Sequence, residues 1–160
     1  MKLPIIFVVE NNLFASHMHI DLRQPHNSTA RFAEAHGIPF KVIDGNNLTD
    51  IYEASQQAVK YCRENKGPYF IEAMTYRWRG HVGPREDTDV GVKRKDDLNT
   101  WKKRDPIRRL KDSLINKNVL SENDFNEITK LIDKNLVEQW QKALDAPYPP
   151  KSLLTEIVYK

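Results

Sequence analysis

Three short runs, Pro4 to Glu10, Pro39 to Ile43 and Tyr69 to Thr75, constrain this chain more than anything else in it. Each is apolar and rich in β-branched or aromatic residues, the pattern of strands covered on both faces of a parallel sheet. Parallel neighbours need a crossover, and the segments between the runs carry helical patterns. In the first segment Asn27 and Ser28 are placed to cap a helix that Gly37 and Pro39 stop. In the second, Asn47 is the cap, Leu48, Ile51, Ala54, Ala58 and Cys62 fall on one helical face, and Gly67 and Pro68 end the segment. The expected fold class is therefore α/β, a βαβαβ parallel sheet with crossover helices over residues 1–76.

Beyond Thr75 the stretch RWRGHVGPREDTDVGVKRKDD has no clean periodicity and reads as a long surface loop, residues 77–104. A helical carboxy-terminal region follows over 105–160. Asp105 is its first cap, with Pro106 at the first helical position and Ile107, Leu110 and Leu114 along one side. Ser121 with Asp124 resembles a capping box, and Phe125, Ile128, Ile132, Leu136 and Trp140 carry an apolar stripe up to the break at APYPP.

A length of 160 residues suits one domain with a sizeable core. The net charge of +3, from 25 basic against 22 acidic residues, is too small to demand nucleic acid or an anionic membrane. Cys62 is the single cysteine, which excludes an intrachain disulfide and a cysteine-rich zinc site and fits a reducing compartment, with a cytoplasmic location expected. It is expected to be buried and inert. The first apolar run ends in Glu10 without a small-residue cleavage site and reads as a core strand. No apolar stretch approaches the roughly 20 residues that cross a bilayer.

Candidate site residues follow the first strand. Open parallel sheets bind ligands at the carboxyl ends of their strands, where Glu10, Asn11 and Asn12 sit. An asparagine oxygen is a hard neutral ligand suited to magnesium, but an asparagine-rich turn has the same residues. His81, between Gly80 and Gly83, can donate to a phosphate with Arg77 or Arg79 supplying charge; a solvated basic loop fits equally. His17 and His19 would share a face in an extended segment, and with Asp21 and His26 they invite a metal reading, against a pocket wall or plain loop. Lys93 to Lys95 and Lys102 to Arg104, around Trp101, resemble a nucleic-acid surface, but Asp96, Asp97 and Asp105 among them argue for a solvated face.

Taken together, LPIIFVVENNLFA, KVIDGNNLTDIYEA, KGPYFIEAMTYRWRGH, KRDPI and LLTEIVY resemble the α subunit of thiamine-diphosphate-dependent 2-oxo acid dehydrogenases, of the pyruvate or acetoin dehydrogenase type. The likeness covers nearly the whole chain in one order. It implies that ENN closes the thiamine-diphosphate motif, with Asn12 binding Mg2+ through its side chain and Phe14 through its backbone carbonyl, and Asn11 as a supporting neighbour. The segment TYRWRGH matches the family's Y-R-x-x-G-H, so His81 is the implied catalytic histidine on the cofactor diphosphate, with Arg77 beside it. The implied activity is decarboxylation of a 2-oxo acid or related ketone, with acyl transfer to a lipoyl carrier. The implied partners are a β subunit in a heterotetramer, a lipoyl-bearing acyltransferase and the small-molecule substrate, with no nucleic acid or membrane.

Departures from the pattern refine this expectation. The family's G-D-G, which supplies another magnesium ligand, does not occur before Asn12, so the chain is expected to be a single partial domain, the carboxy-terminal half of an α subunit. The alternative is a catalytically inactive remnant acting at most as a binding or assembly partner. Phe14 replaces the usual tyrosine, a change that spares a carbonyl ligand. Val82 stands where regulated members carry a phosphorylatable serine, so kinase control there is not expected. His17, Met18 and His19 stand where the family has small or hydroxyl residues and are candidates for marking an unusual substrate.

Overall fold

The computed structural model describes residues 2–86, 91, 94 and 97–156. They fall into two compact units, residues 1–113 and 114–160. In chain order the first contains β1 (Ile6–Asn11), a hairpin of β2 (Phe14–Ala15) and β3 (Met18–His19), a 3-10 turn at Ile20–Leu22, α1 (Ala30–Ala35), β4 (Phe40–Asp44), α2 (Leu48–Arg63), β5 (Tyr69–Met74) and α3 (Asp97–Lys103). The boundary falls within α4 (Pro106–Asn116).

The fold is α/β, with a parallel sheet in the order β1-β5-β4. Each strand lies within two residues of its sequence-based bounds. The last strand inserts between the first two, so β5 is hydrogen-bonded on both edges. Its register puts Ile71 and Ala73 on one face with Ile6 and Ile43, and there Ala54 and Ala58 of α2 close the core. Two alanines one helical turn apart let the helix approach closely, and Cys62 is buried on the same side, its Sγ 3.6 Å from the Ile5 carbonyl. Asn47 caps α2 as expected, accepting from Thr49 N–H.

Coverage of both faces holds for β5 but not for its neighbours. Phe7 and Val8 of β1 are 44% and 60% exposed, and Phe40 and Val42 of β4 are 40% and 43% exposed. Phe7, Phe40 and Val42 lie on the α1 face, where a six-residue helix is too short to cover three strands, while Val8, the partner of Ile71, lies on the α2 face of the edge strand. The capping of α1 agrees with expectation in part: Ser28 Oγ accepts from the Ala30 N–H at 3.2 Å, but the N-cap residue is Thr29, which makes no side-chain cap bond. Glu72, reaching across from β5, accepts from the N–H groups of Thr29 at 2.8 Å and Ala30 at 3.1 Å. At the other end Gly37 adopts φ 64, the left-handed conformation that closes a helix with least strain in glycine.

The segment read as loop through residue 104 ends in a helix. Leu98 and Trp101 of α3, three apart, pack against Phe14 and Tyr76. Interleaved lysines and aspartates obscured that spacing. Asp105 then caps α4, accepting from Arg108 N–H at 2.9 Å. Asp44, at the end of β4, ties this region to the sheet through Arg104 (2.8 Å) and Arg109 (2.9 Å).

In the second unit Asn118, at φ 56, turns the chain after α4. The long helix α5 (Glu122–Asp145) begins with the expected Ser121–Asp124 capping box. Its stripe has the expected spacing, yet Ile128, Ile132, Leu136 and Trp140 are all exposed. A short α6 (Leu153–Glu156) follows. Among the described residues no helix is long and apolar enough to cross a membrane.

Gly45 sits where the chain leaves β4, its N–H donating to the Met74 carbonyl at 2.8 Å. A Cβ there would stand 2.8 Å from that same oxygen and 3.1 Å from the Ala73 carbonyl carbon, both main-chain atoms of the central strand. Gly45→Ala is therefore expected to lower the unfolding free energy by about 1–3 kcal/mol in urea titrations with an unchanged denaturant slope.

Candidate functional site

The carboxyl end of β1 is shaped by two side-chain turns in succession. Asn11 Oδ1 accepts from Leu13 N–H at 3.1 Å, and Asn12 Oδ1 accepts from Phe14 N–H at 3.0 Å. Between them Leu13 adopts φ 67, a conformation that costs a branched residue about 1–3 kcal/mol. The Leu13 carbonyl takes a ladder bond from Ile20 N–H at 2.8 Å. The adjoining Phe14–His19 pair is therefore the non-hydrogen-bonded one, and both main-chain groups of Phe14 turn away from β3. Its N–H goes to Asn12, so its carbonyl lies along the edge where the Asn12 amide sits. Two neutral oxygens on one edge form a donor set suited to a hard divalent cation.

Arg77 and His81 come to the same hairpin. Arg77 donates to the Ser16 carbonyl, and its guanidinium lies 4.9 Å from the centre of the Phe14 ring. The exposed His81 ring meets His17 edge to face, with centroids 6.4 Å apart. Arg94 donates to the carbonyls of Arg77 and Arg79, both at 2.6 Å. Tyr76 joins this group to α3: its ring meets Phe14 edge-on at 5.6 Å and stacks on Trp101 at 5.7 Å. Asn12, Phe14, Arg77 and His81 thus converge on one hairpin through named contacts. Two cavities, about 310 Å³ beside Val8, Glu10 and Ile43 and about 260 Å³ beside Trp78 and Ile107, are lined by none of the four.

Other candidates separate. His17 is at the hairpin turn, exposed, while His19 is half-buried in β3 with its ring edge-on to Phe14 at 5.1 Å, so the two do not share a strand face. His19 Nδ1 lies 3.1 Å from the Asp21 carboxylate. Among the described residues no group of three or more His, Cys, Asp or Glu side chains is arranged to hold a metal. Trp101 stacks on Tyr76 and has the Arg104 guanidinium 4.4 Å from its ring centre, and Arg104 is paired with Asp44. Lys93 and Lys95 lie outside the described residues. Val82 follows His81 and is 82% exposed, without a hydroxyl to modify.

The residue missed from sequence is Glu72, fully buried in β5. It accepts from Asn11 Nδ2 (2.7 Å), Ser28 Oγ (2.5 Å), Thr29 N–H (2.8 Å), Thr29 Oγ1 (2.9 Å) and Ala30 N–H (3.1 Å). Burial pushes its carboxyl upward, but the bonds from Ser28, Thr29 and Asn11 outweigh that and hold it below its ordinary value of 4.5. The signal in the sequence was a single acid in the middle of YFIEAM. Asp44 behaves alike: burial raises it, while the Arg109 and Arg104 guanidiniums and the Asn46 N–H bring it below 3.8.

A family model described as dehydrogenase E1 component matches residues 1–152. The chain belongs to the dehydrogenase E1 component family. It is 35% identical over 158 residues to the chloroplastic pyruvate dehydrogenase E1 component subunit alpha-3 of Oryza sativa subsp. japonica, covering 99% of this chain and 36% of that protein. To the pyruvate dehydrogenase E1 component subunit alpha of Porphyra purpurea it is 32% identical, covering 99% of this chain and 45% of that one. The mitochondrial somatic-form subunit alpha of Homo sapiens is 33% identical over 159 residues, with 99% and 40% covered. This E1 chain thus spans less than half the length of these relatives.

Both lowered carboxyls bind fewer protons folded than unfolded at acid pH, so stability there rises with pH. Their contributions are complete above the ordinary values and are lost as pH falls through the folded ones. Urea unfolding followed from about pH 6 to about pH 3 is expected to show a steady loss of stability, with a shallower loss in Asp44→Asn than in the parent.

Proposed function

We propose that this chain works as the α-type part of a thiamine-diphosphate-dependent 2-oxo acid dehydrogenase component, holding the cofactor's diphosphate through Mg2+. The observation that carries the reading is the convergence of the Asn12 amide, the Phe14 carbonyl edge, Arg77 and His81 on one hairpin. Asn12 and Phe14 would supply two oxygens to the cation; phosphate oxygens, water and groups outside this chain would complete a near-octahedral shell. Thiamine diphosphate, when bound, supplies the electron sink for loss of carbon dioxide from the 2-oxo acid.

The residues of this chain bind and orient. Arg77, braced on Ser16 and Phe14, adds fixed positive charge near the anionic group. His81, exposed and resting on His17, is free to donate an N–H to a phosphate oxygen. No side chain described here is assigned to activation of the aminopyrimidine; that acid, and with it half of the site, belongs to a β subunit in this proposal. The acyl product passes to a lipoyl-bearing acyltransferase.

Coexpression with a β subunit of the family, followed by calorimetric titration of thiamine diphosphate with Mg2+, tests the reading. Binding is expected in the coexpressed complex, weakened about a hundredfold by Asn12→Ala and about tenfold by His81→Ala. Assembly with the β subunit but no cofactor binding would favour the rival reading, a noncatalytic assembly partner.

A further inference from the structure

Glu72 is fully buried, and the partners recorded for its carboxylate are neutral donors: one side-chain amide, two hydroxyls and two main-chain N–H groups. Withdrawing a carboxylate from water is expensive even with good hydrogen bonds, and an apolar residue of similar volume would suit the sheet interior as well. The charge must therefore be judged by what it orients.

Asn11 is its nearest dependent. The Asn11 Nδ2 group donates both to Glu72 Oε1 at 2.7 Å and to the Asn27 carbonyl at 2.8 Å. Two acceptors on that side fix the amide so that Oδ1 points the other way, where it takes the Leu13 N–H. That bond, with the Ile20 N–H on the Leu13 carbonyl, holds Leu13 at φ 67. Leu13 in turn sets the direction in which Phe14 leaves the turn beside Asn12. From these contacts we infer that Glu72 is a positioning residue for the Asn12–Phe14 oxygen pair, acting through Asn11 and Leu13. This rests on the cation reading above only for its consequence; the relay itself is a property of the chain.

Leucine at 72 keeps the approximate volume and removes the acceptor. The Asn11 amide then keeps only the Asn27 carbonyl and is no longer fixed from both sides, and the Thr29 and Ala30 N–H groups lose their carboxylate. Amide hydrogen exchange followed by NMR on the full chain without metal is the direct test. In Glu72→Leu, Leu13 and Phe14 are expected to exchange about tenfold faster, while Ala58 and Cys62 in α2 keep their parental rates. If that variant does not fold, Glu72→Asp keeps the charge but draws it back from Asn11, and the same local loosening is expected. Unchanged protection at Leu13 and Phe14 in a folded variant overturns the assignment.

Manganese separates this from the cation reading. Addition of Mn2+ together with thiamine diphosphate to the parent chain is expected to broaden the Phe14 amide signal, and the variant to need about tenfold more metal for the same broadening. Absence of broadening in the parent would sink the cation reading while the exchange comparison still decides the role of Glu72; equal metal dependence in parent and variant, with broadening present, would overturn the positioning role.

Discussion

Strand β5 has to satisfy three demands at once, and the rest of the first unit hangs on its doing so. It is the only strand paired on both edges in this sheet, to β1 and to β4. One face gives Ile71 and Ala73 to the core beneath α2; the other presents Glu72 to the first residues of α1. Its carboxyl end runs straight into the site: Thr75 Oγ1 donates to the buried Asn46 at 2.7 Å, and Tyr76 stands between Phe14 and Trp101. Alternation along a strand makes this possible, because successive side chains serve opposite faces without any change in the backbone.

The polar end of the sheet is stitched by the same economy. Asn46 donates to the Arg104 carbonyl at 3.0 Å while accepting from Thr75, and Arg109 bridges the Asp44 carboxylate and the Asn46 carbonyl. These bonds hold the start of α4 against the ends of β4 and β5. A buried core built largely from alanine and isoleucine contributes limited apolar area, so the start of α4 is held by directional contacts more than by burial.

What could be read in advance followed from local chemistry. The three strands were legible because β-branched runs bounded by glycine and proline have few other readings, and α2 because a cap, an apolar face and a stop all agreed. The capping box of α5 was legible for the same reason. The cap of α1 was legible only in Ser28, since its other acceptor is Glu72, more than forty positions away in the chain. α3 was hidden because its two apolar residues are enough only when Phe14 and Tyr76 stand opposite them. The candidate site residues were named through the family likeness; the hairpin that gathers them was not legible, because a two-residue strand pair leaves no periodicity to detect.

The costs in this unit are not spread evenly. Leu13 at φ 67 and Ser16 at φ 50 are both in the short stretch that carries Asn12 and Phe14, and Glu72, a fully buried carboxylate, lies one hydrogen-bonded side chain away from it. A sheet that served only to support helices would gain stability from relaxing each of these features, as its α2 face already does with plain alanines and isoleucines. Strain persists where surrounding structure over-determines it, and here the Asn11 amide, the Ile20 N–H and Glu72 do so together. That concentration at the carboxyl end of β1 weighs toward a binding role for the turn and against an inert scaffold, because a merely structural turn could reach the same chain direction with glycine at position 13 and no buried charge behind it.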